Sequence, residues 1–252
     1  MIEGHKVCVV IPEWNEFDKA IYCAQKILQE VPTVDKIIIV DDGSEGFQNK
    51  PVDHKIDLLA NQTNQGTGFT FITGINHALK SGYDFVICWT LLDRGFFPVD
   101  FKNVVEGLTK SEVVYGVRVK TGQNKESFSR WLGRRLHIVL FKIHANFWLK
   151  DSTIGMRGFR KSAFEKIGLP SEQFLRINSE NKNWSWFFRY GFETWILLQA
   201  FKSGCSVNSC TVHDLGATNS SIKLFGKNSF RSIYTPFFRK VSFSQPDGVA
   251  KK

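Results

Sequence analysis

The first half of the chain alternates short apolar segments with longer segments of helical periodicity, and this pattern constrains the fold more than any other feature. Five apolar segments have the length of buried strands. They are residues 7–11, 36–40, 55–59, 84–89 and 112–115. Residues 17–31, 68–81 and 101–108 repeat apolar side chains every three or four positions, as helices do. The alternation predicts an α/β fold, a mostly parallel sheet with helices on both faces.

The second half of the chain is less regular. Residues 130–149 form a long, apolar, helical stretch, and residues 192–203 have the pattern of another helix. After His213 the pattern gives way to basic and aromatic residues, without a clean linker. We therefore expect one domain over residues 1–217, followed by a basic, aromatic tail over residues 218–252.

The composition argues against several classes of protein. The chain is 42% hydrophobic, which is enough to build a packed core. No apolar run approaches the ~20 residues of a membrane-spanning helix. The five cysteines are odd in number and show no CxxC spacing, so we expect neither a disulfide framework nor a zinc site. Residues 1–6 are polar and charged, unlike a secretory signal, and we expect a cytoplasmic protein.

The net charge of +9 is typical of a protein with a polyanionic partner. Such a partner is a nucleic acid, an anionic membrane surface or a phosphorylated substrate. A basic protein without any such partner would have the same composition. The chain shows no recognisable nucleic-acid-binding motif, and we expect no nucleic acid among its partners.

Polar segments lie where three of the predicted elements end or begin. Residues 12–16 (PEWNE) follow the first strand, residues 41–44 (DDGS) follow the second, and residues 64–68 (NQGTG) precede the second helix. Ligands of parallel sheets bind beyond the carboxyl ends of the strands. Paired carboxylates there can hold a ribose or a base edge and have little structural purpose, and a helix N-terminus favours phosphate. Each segment alone reads as a turn, but together they predict a nucleotide site.

These segments resemble the opening motifs of the family 2 glycosyltransferases, which have the GT-A fold. The matching residues are 9–16 (VVIPEWNE), 38–44 (IIVDDGS), 64–68 (NQGTG) with Gly74 and Ala78, and 114–118 (VYGVR). Residues 151–159 (DSTIGMRGF) resemble the Asp-x-x-x-Gly-Phe-Arg segment of the polyprenyl-phosphate sugar transferases of the dolichol-phosphate mannose synthase type. The resemblance covers residues 5–215 and implies a GT-A type fold with a Rossmann-like nucleotide-binding half.

The resemblance also implies roles for individual residues. The base and ribose pocket would be lined by Pro12, Glu13 or Asn15, Glu16, Asp41 and Asp42. Gln65 and Gly66 would border the diphosphate. Arg118 and Arg157 would face phosphates, either of the leaving nucleotide or of a lipid-phosphate acceptor, because a guanidinium group holds two phosphate oxygens at once.

The metal-binding motif departs from the family pattern. The family places an Asp-x-Asp after the strand at residues 84–89, where it holds Mg²⁺ or Mn²⁺ on the nucleotide diphosphate. Here Thr90, which we group with the nucleotide-binding residues, replaces the first Asp, and only Asp93 remains, shifted by one residue. Three interpretations stay open: Asp93 holds the metal alone, Arg94 substitutes for the metal charge, or catalysis has been lost.

The leading hypothesis is transfer of a sugar, with inversion, from a nucleoside-diphosphate sugar to a polyprenyl phosphate. The catalytic residues would be Asp93, Arg118 and Arg157, with Asp93 also the ligand of a nucleotide-dependent Mg²⁺ or Mn²⁺. The alternative is a catalytically inactive GT-A protein that binds a nucleotide or a partner protein. The stretch 130–149 fits a core helix and a helix at an anionic bilayer equally well, and we expect a protein peripheral to the membrane.

Overall fold

The computed structural model describes residues 1–45, 53–90, 95, 97–120, 128–151, 155–214, 234–239, 241 and 243. The strands are β1 (Val7–Glu13), β2 (Lys36–Asp41), β3 (Ile56–Ala60), β4 (Phe85–Trp89), β5 (Val113–Lys120), β6 (Met156–Arg160) and β7 (Val207–Asp214). The helices are α1 (Phe17–Glu30), α2 (Thr67–Lys80), α3 (Pro98–Leu108), α4 (Phe128–Ala145), α5 (Lys161–Ile167), α6 (Glu172–Asn178) and α7 (Phe192–Lys202). A π-helical turn, Phe187–Gly191, leads directly into α7.

The strands form one sheet in the order β3-β2-β1-β4-β6-β5-β7. All pairings are parallel except those of β6, which runs antiparallel between β4 and β5. The predicted mostly parallel sheet is therefore confirmed. Central strands such as β1 and β2 are apolar at almost every position because helices cover both of their faces. One apolar core lies under α1 and α3, and the other lies under α2, α4 and α7.

Two strands of the sheet, β6 and β7, were not predicted from the sequence. β6 lies at the centre of the sheet although it contains two arginines and a glycine. A Cβ on Gly158 would lie 2.5 Å from a methyl of Val104, so the glycine lets α3 pack closely on β6. β7 forms the edge of the sheet, where one side of the strand needs no partner, and its sequence is accordingly more polar.

Helix α4 is half core and half surface. Ile138 and Phe141 are buried, whereas Ile143 on the opposite side is 67% exposed. Residues 234–238, which fall in the predicted tail, are helical and pack on the buried side of α4. There Tyr234 donates a hydrogen bond to the carbonyl of Gly133 at 3.0 Å. Within the described part of the chain, no helix is both long enough and apolar enough to span a bilayer.

Candidate nucleotide and phosphate site

Two buried carboxyl groups lie side by side where β1 and β2 end. Glu13 and Asp41 are register partners, and they are 4% and 1% exposed. Asp41 accepts hydrogen bonds from the N–H groups of Gly43 and Ser44 at 3.0–3.1 Å, while Glu13 Oε2 accepts the N–H of Glu16 at 3.0 Å. Burial, followed by the hydrogen bond to Asp41, raises the pKa of Glu13 to about 8. At neutral pH this pair therefore carries one proton.

Asp42 anchors the loop that leads into α2. Its Oδ1 accepts the N–H of Gln65 and the side-chain amide of Asn61, both at 3.0 Å, and its Oδ2 accepts the N–H of Gly66 at 2.7 Å. The expectation that paired carboxylates here have little structural purpose is therefore wrong. Asp42 fixes the residues that were expected to border the diphosphate.

The turns after β1 and β2 depend on two left-handed residues. Gly43 has a φ of +74°, and a Cβ there would lie 2.5 Å from the carbonyl carbon of Thr63. Asn15 has a φ of +57°, and its N–H donates to Ser44 Oγ at 2.7 Å. These contacts hold the PEWNE, DDGS and NQGTG segments against one another at one edge of the sheet, as the sequence indicated.

The remaining residues of the PEWNE segment face different surroundings. Pro12 pairs in register with Val40 within the sheet. Glu16 is exposed and lies 3.7 Å from the ammonium group of Lys19. Trp14 was assigned no role from the sequence, and its side chain is 56% exposed at this polar edge. The signal was present, because a tryptophan inside a strand-end turn offers a flat surface for stacking a base.

The N-terminal end of α2 packs against the π-helical turn. Gly66 has a φ of +102°, and a Cβ there would lie 2.7 Å from Arg189 Cγ. A Cβ on Gly68 would lie 2.7 Å from the carbonyl oxygens of Phe187 and Phe188. Both glycines are thus required by close approach. The positive end of the α2 dipole lies at the same edge as the carboxyl groups, a favourable place for phosphate oxygens.

Arg157 lies on β6, where it is paired with Cys88 of β4 and is 6% exposed. Its Nη1 donates to Oε2 of Glu193 on α7 at 2.6 Å. The Arg157–Glu193 pair was missed from the sequence, because the two residues are 36 positions apart and no local pattern links them. A buried guanidinium group with one partly exposed carboxylate partner can accept a phosphate in place of that partner.

His137 of α4 lies near the Arg157–Glu193 pair. Its Nε2 lies 3.2 Å from the hydroxyl of Thr194, the neighbour of Glu193. Burial and the charge of Arg157 lower the pKa of His137 to about 3, so the ring is neutral at physiological pH. The histidine is therefore a neutral packing residue, and it links α4 to α7.

Arg118 occupies a different environment. Its Nε lies 2.8 Å from Oδ2 of Asp214 and 3.8 Å from Oδ2 of Asp151. Arg118 lies three positions after Tyr115, the register partner of Arg157. Side chains alternate along a strand, so the two arginines project from opposite faces of the sheet. The structure therefore does not bring them together.

Thr90 follows β4 directly, and both its N–H and its hydroxyl bond to the carbonyl of Gly155, at 2.9 and 3.2 Å. Asp93 and Arg94 lie outside the described residues. Over the described ranges, no group of three or more His, Cys, Asp or Glu side chains is arranged to hold a metal ion. His213 Nδ1 lies 2.7 Å from Asp100 Oδ1 and forms a hydrogen-bonded pair with it.

The chain is similar to known proteins in sequence. The family model described as "Glycosyl transferase family 2" matches residues 8–168. An undecaprenyl-phosphate mannosyltransferase of Micrococcus luteus is 22% identical over 175 residues, which cover 65% of this chain and 70% of that protein. A UDP-N-acetylglucosamine–dolichyl-phosphate N-acetylglucosaminyltransferase of Methanococcus voltae is 26% identical over 184 residues, 64% of this chain and 72% of that protein.

Solved structures share the fold. Glucosyl-3-phosphoglycerate synthase from Mycobacterium tuberculosis, in complex with Mn²⁺, uridine diphosphate and glucosyl-3-phosphoglycerate, superposes with a TM-score of 0.60. The two proteins are 15% identical, and the match covers 91% of this chain and 78% of that one. At this identity the likeness establishes the fold alone, which is the GT-A fold.

Proposed function

The chain belongs to glycosyl transferase family 2, and from that premise we propose that it transfers a sugar from a nucleoside-diphosphate donor to a polyprenyl phosphate, with inversion. The enzyme class follows from the family. The acceptor is the finer proposal, and one observation carries it. Arg157 is buried next to α4, and the outer face of that helix is an exposed apolar stripe.

The donor would lie along the edge formed by the ends of β1 and β2. The exposed indole of Trp14 can stack on the base, and the carboxylate of Asp41 can accept hydrogen bonds from the base or the ribose. Gln65 and Gly66, held by Asp42, would direct the diphosphate toward the N-terminus of α2. The similar protein of Methanococcus voltae is named for a UDP-sugar and dolichyl phosphate, and that of Micrococcus luteus for undecaprenyl phosphate. Both names are consistent with this chemistry.

A divalent cation is part of the proposal. Asp93 would hold Mg²⁺ or Mn²⁺ together with the donor phosphates and water, since Mg²⁺ needs only one or two protein carboxylates. The Mycobacterium tuberculosis synthase of the same fold was solved with Mn²⁺ and uridine diphosphate. When bound, such a cation would offset the negative charge of the diphosphate.

The acceptor phosphate would bind at Arg157. In the reaction, a phosphate oxygen forms a bond to the anomeric carbon while the bond to the donor diphosphate breaks. The nucleoside diphosphate leaves with the electron pair on the opposite face, so the configuration inverts. An ionised phosphate is already a nucleophile, and the protein needs only to orient it and to stabilise charge. Arg157 can do both by exchanging its contact with Glu193 for the phosphate.

The exposed face of α4 would lie on an anionic membrane surface. This face, here called the apolar stripe, repeats at helical spacing and is 40–74% exposed. The stripe comprises Phe128, Trp131, Leu132, Leu136, Val139 and Ile143. Helix α4 contains no Asp or Glu, and Arg135 and Lys142 lie on the same side of the helix as the stripe. Basic, amphipathic helices of this kind bind anionic interfaces, and the cytosolic leaflet is anionic.

Arg157 and the apolar stripe lie on either side of the same helix. His137 on the inner side of α4 contacts Thr194, next to Glu193. The stripe on the outer side is therefore one helix diameter away, about 10 Å. Under this proposal a lipid phosphate would reach the arginine from the membrane surface on which the stripe lies.

The proposal is tested with labelled UDP- and GDP-sugars, anionic vesicles containing a polyprenyl phosphate, and Mg²⁺ or Mn²⁺. We expect label to appear on the lipid phosphate with one donor. Nucleotide binding without transfer, under every combination of donor and metal, would instead support a catalytically inactive protein.

A further inference from the structure

The buried carboxyl groups of Glu13 and Asp41 lie side by side, an arrangement that requires a proton on one of them. Both oxygens of Asp41 accept backbone N–H groups, and Glu13 Oε2 accepts the N–H of Glu16. Glu13 Oε1 is buried and finds no N–H or O–H donor among the described residues. Two ionised carboxylates in contact at 4% and 1% exposure would repel each other strongly. The oxygen without a donor is therefore the position available for a hydrogen, and the side-chain hydrogen bond with Asp41 is one of the causes that raise the pKa of Glu13.

The charged groups around the pair do not relieve this repulsion. Glu16, in the turn between β1 and α1, is acidic and adds to the repulsion. Asp42, the residue after β2, is acidic as well, although its charge is balanced by N–H donors of the loop before α2. Lys19 on α1 lies next to Glu16 and not next to the pair. A proton shared within the pair would thus keep the pair at a single negative charge.

Resting on the donor site proposed above, we propose that Glu13 is a positioning residue that shares one proton with Asp41 and so sets the pH range in which the nucleotide donor binds. A nucleoside diphosphate brings several negative charges to this edge. The singly charged pair tolerates them, and the protonated carboxyl holds Asp41 in place. Loss of the proton would double the charge of the pair, push the two strand ends apart and repel the donor.

The expected pH window follows from the chemistry of the pair. The pKa of Glu13 is about 8 in the folded protein, whereas a glutamate in an unfolded chain titrates near about 4.3. Donor affinity should be constant at pH 6.5–7.5. Above the pKa it should fall by roughly tenfold per pH unit, because only the protonated pair binds.

The test is calorimetric titration with uridine diphosphate and guanosine diphosphate, without metal, between pH 6.5 and pH 9.5. Wild type and the surface control Glu30→Gln should lose affinity above pH 8. Glu13→Gln, whose amide donates to Asp41 without titrating, should give a flat profile. A flat wild-type profile, or a Glu13→Gln profile as steep as that of wild type, would overturn the proposal.

A second measurement separates this proposal from the donor site itself. The folded pKa of Glu13 is raised, so its contribution to stability is complete below about pH 4.3 and is lost as the pH rises toward 8. Wild type should therefore become progressively less stable than Glu13→Gln between pH 5 and pH 8 in urea unfolding. If neither nucleotide binds at any pH, the proposed donor site is wrong. The dependence of stability on pH still tests whether Glu13 and Asp41 share a proton. A stability difference that is the same at pH 5 and pH 8 would overturn the shared proton.

Discussion

The carboxylate of Asp42 accepts the N–H of Gly66 across 2.7 Å, and this contact ties the end of β2 to the residue that precedes α2. The same carboxylate accepts the N–H of Gln65. One side chain thus sets both the start of α2 and the loop beside the donor site. The DDGS segment is therefore a structural element of the fold as well as a candidate binding element.

Asp42→Ala should lower the free energy of unfolding by about 1–3 kcal/mol, because it leaves the N–H groups of Gln65 and Gly66 without an acceptor. Asp42→Asn keeps one acceptor oxygen and should cost less. Urea unfolding measures both, with the exposed Glu106→Ala as the control. Equal stability of Asp42→Ala and the control would show that the loop does not depend on this carboxylate.

Trp14→Ala should weaken uridine or guanosine diphosphate binding by about 1–3 kcal/mol, the usual range for loss of a base-stacking contact. Stability should change little, because the side chain is 56% exposed. Trp148→Ala removes an equally exposed indole, 59%, away from this edge and is the matched control. Calorimetry measures the affinities, and a similar effect of the two substitutions would remove Trp14 from the donor site.

The strand-end segments were readable from the sequence because they follow strongly patterned elements. β1, β2 and α2 have clear periodicity, so the positions of Asp41, Asp42 and Gly66 at one edge of the sheet followed from the rule for parallel strands. Strand β6 could not be predicted, because Met156–Arg160 contains charged and glycine residues. Only tertiary packing places this segment inside the sheet, between β4 and β5.

The contacts between the site residues could not be predicted from the sequence. Arg157 and Glu193 are neighbours only because α7 packs beside β6. Arg118 and Arg157 were grouped as phosphate ligands, but alternation along β5 and β6 separates them across the sheet. The proton shared by Glu13 and Asp41 depends on burial, which a sequence pattern does not report.

Ile143→Glu should reduce binding to anionic vesicles by roughly fivefold or more, since it places a negative charge on the apolar stripe that would lie against the membrane. Ile177→Glu, at a side chain 50% exposed on α6, is the matched control and should bind like wild type. Vesicle flotation at low salt measures both. If the two variants float equally well, α4 does not contact the membrane.

Wild type should lose stability as the pH falls below about 6.5. His137 is buried with its pKa lowered to about 3, whereas an unfolded histidine takes up a proton near about pH 6.5. The contribution of the neutral ring to the free energy of unfolding is complete above that pH and is lost as the pH falls toward about 3. At pH 5 the loss is about 2 kcal/mol. His137→Gln should lose less stability between pH 7.5 and pH 5 than wild type does. His54→Gln, at an exposed histidine, should follow wild type, and an unchanged profile in His137→Gln would contradict the burial argument.

In the proposed reaction a lipid phosphate, held by Arg157, attacks the sugar of a nucleotide donor. The most direct measurement compares transfer rates to a polyprenyl phosphate and to the corresponding polyprenol, in wild type and in Arg157→Ala. We expect the phosphate to be glycosylated and the alcohol not, and we expect Arg157→Ala to lower the rate by about 100-fold while uridine or guanosine diphosphate still binds. Equal transfer to phosphate and alcohol, or an Arg157→Ala variant as fast as wild type, would contradict the account.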